Sequence, residues 1–237
     1  MLLCPKGEPM RFKNDTERQH ETIDAVLTGV GFGASGLSIE SQAELLESVT
    51  LKSIAPQAAK QNFTWIIACD YHAPEECCNI ADRVSGNGGA ALVWVMDVEQ
   101  SWGEMLAGMY AWDGWDSAGV TTVGCPAGGA MNTKYLETVR REMGDAKNAC
   151  LTFNGGVLMG DGGQAGLTKI KHNEFVARRE YVEAGWMWRT CYSHGQRDDV
   201  ESEIVLQREK NSKTAWAMPA TGRVSSRSKI DLGQFGL

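Results

Sequence analysis

The chain has 237 residues, enough for one domain of ordinary size with its own core. Hydrophobic residues make up 43% and charged residues 22%, which excludes a disordered, collagen-like or coiled-coil protein. The net charge of −7 argues against general nucleic-acid binding, and the longest apolar runs, such as Ala90–Met96, fall well short of the ~20 residues of a membrane helix.

In chain order, residues 1–20 read as an irregular segment. Met1–Asp15 carries Lys6, Glu8, Arg11 and Lys13 around no apolar stretch, unlike a secretory signal, so a cytoplasmic location is expected. Ile23–Leu27 reads as a buried strand running into Gly29-Val30-Gly31-Phe32-Gly33. That run reads as a flexible turn and only weakly as a dinucleotide fingerprint, because Ser35-Gly36 follows and no helix opens at once. Ser38 or Ser41 can cap a helix with the stripe Leu45, Leu46, Val49 and Ile54, stopped by Pro56. Phe63–Cys69 reads as a strand, and Pro74 opens a helix bearing Cys78, Ile80, Ala81 and Val84. Ala90–Met96 is the next strand, Glu99–Met109 a helix, and Val120–Val123 a short strand. Asn132 caps a helix with Tyr135, Leu136, Val139 and Met143 on one side. Beyond Ala149 the texture changes: Leu151–Met159 and Lys169–Ala177 read as strands among clustered glycines, followed by Gly185-Trp186-Met187-Trp188.

Strands alternating with helices predict an α/β fold of three layers, with a mostly parallel central sheet and a mixed C-terminal half. The charge is uneven. Between Asn62 and Val120 nine acids face one base, Arg83, whereas from Arg208 onward six bases face Glu209 and Asp231. Residues 227–237 form a basic tail, either solvated, laid on the acidic flank of this chain or a neighbour, or in contact with phosphates.

The seven cysteines are scattered and read as reduced thiols; Cys69 and His72 alone hint at a ligand pair, so no zinc is expected. Asp113-Gly114-Trp115-Asp116 reads as a solvated turn or as a sugar-contacting loop, with Trp112 and Trp115 as aromatic faces. Asp161, within Gly160-Asp161-Gly162-Gly163, is a turn acid and a weak candidate for a catalytic base. Trp112, Trp115, Trp186 and Trp188 are either core residues or interface anchors.

The segment Ala43–Ile54, followed by Asn62-Phe63-Thr64-Trp65-Ile66-Ile67 and Asp70, resembles the opening of the bacterial putative rhamnosyltransferases, glycosyltransferases of GT-A type. Thr121-Thr122, Asn132–Leu136, Leu151–Gly156, His172–Phe175, Tyr192–Gly195 and Trp216–Ser225 resemble later landmarks of that family in the same order. The resemblance implies one glycosyltransferase-like domain over residues 21–226, with a nucleotide-binding half at about 21–148 and an acceptor half at about 149–226. It implies sugar transfer from a nucleotide-sugar to a glycan acceptor. It places Thr28, Asp70, Asn154 and His194 at the substrate; Asp113 and Asp116, outside the family's pattern, are substrate contacts on the sugar-contacting-loop reading.

The family's run of aspartates after Thr121-Thr122 is missing. Val123-Gly124-Cys125-Pro126-Ala127-Gly128-Gly129-Ala130 stands there, without a carboxylate to hold Mg²⁺ or Mn²⁺, so no metal cofactor is expected. The alternative implied is a catalytically inactive relative, serving as a structural or interaction protein with a protein partner or a second copy of itself.

Overall fold

A computed structural model describes residues 23–31, 37–58, 60–61, 63–88, 91–96, 102–106, 117–146, 148–153, 155–160, 164–169, 175–183, 190–192, 204–208, 215–220, 224 and 230–237. The expected α/β character is present, built on two mixed sheets. The larger has seven strands: β1 (Ile23–Val30), β2 (Thr64–Asp70), β3 (Ala91–Met96), β4 (Ser117–Gly124), β6 (Ala149–Phe153), β9 (Val176–Glu183) and β10 (Ile204–Arg208). Their order is β10-β6-β9-β4-β1-β2-β3, and β9 is the strand that runs antiparallel to its neighbours. The smaller sheet joins β5 (Ala130–Met131), β11 (Trp216–Pro219), β7 (Gly155–Met159) and β8 (Ala165–Lys169) in that order.

The strands at the centre have the composition of a sheet covered on both faces. Ala25, Val26, Leu27 and Thr28 of β1 are all fully buried, as are Ile67, Ala68 and Cys69 of β2. Such continuous runs are readable without any tertiary information, and they fall where the sequence places them.

The helix after β1 departs from expectation in two ways. Ser38 caps it as expected, its Oγ accepting from Ser41 N at 3.1 Å. The helix then runs as α1 (Ile39–Leu45), widens into a π turn at Leu46–Thr50, and continues as α2 (Leu51–Ala58) with Pro56 inside it. The π turn presents Thr50 to the loop after β4, where Thr50 Oγ1 accepts from Gly128 N at 2.9 Å. Pro56 has no N–H for the Lys52 carbonyl, and the chain terminus approaches that oxygen instead. A Cβ on Gly236, whose φ is +76°, would lie 2.4 Å from Lys52 O.

Helix α3 (Glu75–Gly88) carries Glu75 and Glu76 in its first turn, where the helix dipole favours acids. It turns Cys77, Ala81 and Val84 into the core. Helix α4 (Tyr135–Met143) buries Tyr135, Leu136, Val139 and Met143, as its periodicity predicts. Its expected cap is corrected: Asn132 Oδ1 accepts from Lys134 N in a turn one step early, at 3.0 Å. Leu136 N is met by Gln57 Oε1 from α2 at 3.3 Å, so a buried glutamine on a neighbouring helix caps α4. Of the expected helix Glu99–Met109, residues 102–106 are described and helical.

The expected strand Leu151–Met159 is also corrected. It divides into β6 and β7, which belong to different sheets. Gly155 and Gly156 make the change possible, since a Cβ on Gly156 would lie 2.2 Å from the indole of Trp216. The expected strand Lys169–Ala177 likewise falls at the end of β8 and the start of β9, one in each sheet. The last residues of the tail are folded: Phe235 is fully buried with Ala130, Val157, Ala165 and Ala217.

Cys69, Cys77, Cys78, Cys125, Cys150 and Cys191 stand as thiols. Burial pushes the thiols of Cys69 and Cys191 up to about 12 from an ordinary 9.0, and holds the phenol of Tyr135 well above its usual range. The folded protein therefore keeps protons that the unfolded chain releases. The stability this represents is complete below pH 9 and is lost as the pH rises toward 12. The urea midpoint is expected to fall steadily above pH 9; a midpoint unchanged at pH 11 would contradict these burials.

Candidate functional site

Strands β1, β2 and β3 step one way across the sheet, while β4 lies on the opposite side of β1. Between β1 and β4 the order reverses, and in open α/β sheets ligands gather outside the carboxyl ends of the strands at such a point. Gly31 follows the end of β1, and Asp70 ends β2, the neighbour of β1 on the side away from β4. Gly31 has φ of +93°, and a Cβ on it would lie 3.0 Å from Cβ of Asp70, so the two strand ends meet without room for a side chain.

Gln42 of α1 is nearly fully buried and bonds two described backbone positions: its Oε1 accepts from Gly31 N at 3.2 Å and its Nε2 donates to Leu37 O at 3.1 Å. Asp70 is half-buried, and its Oδ1 accepts from His72 N at 2.8 Å. Tyr71 is 55% exposed, and its ring meets that of His72 edge-on, with centroids 5.3 Å apart. A carboxylate, a phenol and an imidazole thus share one turn beside Gly31. That is an assembly suited to hydrogen-bonding the hydroxyls of a polar ligand. Replacing Gly31 by Ala is expected to cost about 1–3 kcal/mol, through the positive φ and the contact with Asp70; urea denaturation measures it.

The β4 side of the reversal is closed by protein. Leu27 O accepts from Cys125 N at 2.9 Å and from the Tyr192 hydroxyl at 2.9 Å. Cys191 N donates to Thr122 Oγ1 at 2.8 Å, which ties the Thr190–Tyr192 segment to β4. Trp102 lies against Tyr192 with ring centroids 5.3 Å apart.

Val123–Ala130 is the stretch in which the resembling family's run of aspartates is missing. It is buried throughout. Cys125 has no exposed surface and its Sγ donates to Gly129 O at 3.6 Å. Gly128, with φ of +84°, packs under Leu45. Thr50 and Ser53 bond the backbone at Gly128 and Met131. These residues do not fit a hard cation, having neither a carboxylate nor an open face. Among the described residues, no three His, Cys, Asp or Glu side chains come together to hold a metal.

Of the residues the resemblance placed at substrate, Asp70 stands at the carboxyl edge of the sheet. Thr28 does not: it is fully buried, and its Oγ1 accepts from Trp65 Nε1 at 2.9 Å, a contact internal to the core. Asp113, Asp116, Asn154, Asp161 and His194 lie outside the described residues. Gln42 and Tyr71 were missed by sequence reasoning, and His72 was noted only as a hint of a ligand pair with Cys69. For Gln42 a signal existed, since it is a polar residue on the inward face of a helix, next to Ala43 and one turn before Leu46.

No protein-family model and no curated protein matches the sequence. Among solved structures the chain is similar to HddC from Yersinia pseudotuberculosis, with a TM-score of 0.42 and 10% identity, over 82% of this chain and 92% of that one. Among the described residues no helix is long and apolar enough to cross a membrane.

Proposed function

We propose that the protein is glycosyltransferase-like and receives a nucleotide-sugar over the carboxyl ends of β1 and β2, passing the sugar to a glycan acceptor. The observation that carries this reading is Asp70, half-buried at the carboxyl end of β2 against Gly31, one strand away from the point where strand order reverses. The run of parallel strands β4-β1-β2-β3 with α3 packed on β2 supports a GT-A-like three-layer arrangement. Asp70 accepts hydroxyl hydrogen bonds from the ligand, and Gln42, bonded to Gly31 N and Leu37 O, holds the end of β1 in place. Residues 123–130 bring no cation to the diphosphate, whose charge falls to bases elsewhere in the chain. Asp161 is the proposed base that assists attack at the anomeric carbon.

A second reading is favoured by the sealed Val123–Ala130 loop: a relative that keeps the fold without catalysis, as a structural or interaction protein. Incubation with a panel of nucleoside-diphosphate sugars and oligosaccharide acceptors separates the two. Release of nucleoside diphosphate that depends on the acceptor supports the enzyme. Absence of release from every donor leaves the inactive relative.

A further inference from the structure

The aromatic side chains divide by exposure. Trp65, Tyr135, Phe153, Phe175 and Trp216 are buried in the core, whereas Tyr71, Trp102 and Tyr192 are those among the described aromatic side chains that keep open surface. All three stand at the carboxyl edge of the large sheet. Tyr71 follows the last residue of β2. Tyr192 donates its hydroxyl to Leu27 O at 2.9 Å, the same oxygen that Cys125 N reaches as the chain leaves β4. Trp102 lies against Tyr192, with ring centroids 5.3 Å apart and 34° between planes.

Strand β1 runs between them. Its ladder with β4 ends at Leu27, whereas its ladder with β2 continues to Val30, so the end of β1 projects beyond β4 and past the Tyr192 hydroxyl. Along that projection Thr28 and Val30 are fully buried, and the positions that solvent reaches are Gly29 and Gly31. The open part of β1 therefore bears no side chain, with Tyr71 on its β2 side and Tyr192 and Trp102 on its β4 side. Aromatic surface and a few fixed polar groups around such a step suit a ligand made of hydroxylated rings.

We propose that Trp102 and Tyr192 form the platform on which the glycan acceptor stacks a neutral sugar ring. This acceptor site rests on the reading that puts a nucleotide-sugar at Gly31 and Asp70, and adds where the second substrate lies. A pyranose presents a face of weakly positive C–H groups, which matches the negative face of an aromatic ring. The hydroxyl bond to Leu27 O already fixes the Tyr192 ring, so little rotamer freedom is lost on binding. Glu104 is exposed on the short helix that carries Trp102, and Asp70 stands across β1, so the local charge disfavours acidic sugars.

The full chain is applied, without nucleotide, to an array of neutral and acidic oligosaccharides. Binding to at least one neutral oligosaccharide is expected, and in its complex with the native chain, saturation of the aromatic protons in an NMR experiment should reach the C–H protons of one sugar ring. Trp102→Leu keeps an apolar side chain without an aromatic face and is expected to weaken this binding roughly tenfold, while Trp102→Phe restores most of it. Thermal unfolding checks that both variants are folded. Binding to acidic oligosaccharides alone, no transfer from aromatic protons, binding unchanged in Trp102→Leu, or no binding at all would each overturn the platform. A native chain that binds a neutral glycan but no nucleotide-sugar refutes the donor site instead, and one that binds a nucleotide-sugar but no glycan refutes the platform alone.

Discussion

Trp216→Ala is expected to remove about 3–5 kcal/mol of stability, a third or more of what a typical domain has. Trp216 belongs to β11 of the small sheet, is fully buried, and donates its indole N–H to Phe153 O of β6 in the large sheet at 2.9 Å. Its ring lies nearly parallel to Phe175, with centroids 5.5 Å apart and 10° between planes, and covers Gly156 on its other side. One side chain thus joins both sheets, and its loss opens a cavity bounded by a backbone that cannot collapse onto it. Trp216→Phe keeps most of the ring and loses the hydrogen bond, at about 1–2 kcal/mol. Gly156→Ala should also destabilise, since its methyl has no room. Urea unfolding of the three variants gives the order; a Trp216→Ala variant as stable as the native chain would contradict the packing.

Cys125→Asp is expected to destabilise the protein without creating a cation site. The Cys125 side chain has no exposed surface. A carboxylate there would be desolvated, and its pKa would rise by roughly 3 units or more, which corresponds to about 4 kcal/mol. The sign of the pH dependence follows. The unfolded chain ionises this acid near pH 4 and the folded protein holds it neutral, so the penalty appears as pH rises above about 4 and is full near neutrality. Unfolding midpoints of Cys125→Asp and the native protein should therefore converge at low pH and separate at pH 7, with or without Mn²⁺. A variant rescued by Mn²⁺ would mean that the loop opens to solvent and can act as the resembling family's does.

The fold was legible where a short stretch carried its own pattern. Ile23–Leu27, Trp65–Cys69 and the Tyr135–Met143 stripe needed no partner to be recognised, because continuous burial or helical periodicity writes itself locally, whereas Gly29 and Val30, read as a turn, continue β1. The misreadings share a cause. Pro56 sits inside a helix, and the Lys52 carbonyl it leaves without an N–H faces the Gly236 turn from the far end of the sequence. The break between β6 and β7 follows from an indole that arrives from Trp216, far along the chain. Asn132 yields its capping role to Gln57, a residue on another helix. Each of these depends on a contact between segments that no local window contains.

At the site, Asp70 was marked through the order of family-like motifs, and the structure puts it, half-buried, at the end of β2. Thr28 was marked the same way, yet its hydroxyl faces the Trp65 indole; sequence order cannot tell which face of β1 a threonine takes. The burial of Val123–Ala130 was equally invisible, since a run of small residues reads the same under a helix as in an open loop.

The central claim is that a nucleotide-sugar binds at Gly31 and Asp70 without a cation from residues 123–130. Thermal unfolding of the native protein and of Asp70→Ala, with nucleoside diphosphates and their sugars, in Mn²⁺ and in EDTA, tests it most directly. A ligand supplied at about 100 times its Kd adds ~2.7 kcal/mol to the native state. The account predicts a rise in Tm with at least one nucleotide-sugar, the same in Mn²⁺ and in EDTA, and lost in Asp70→Ala. No rise with any of them, or a rise that requires Mn²⁺ and survives in Asp70→Ala, would contradict it.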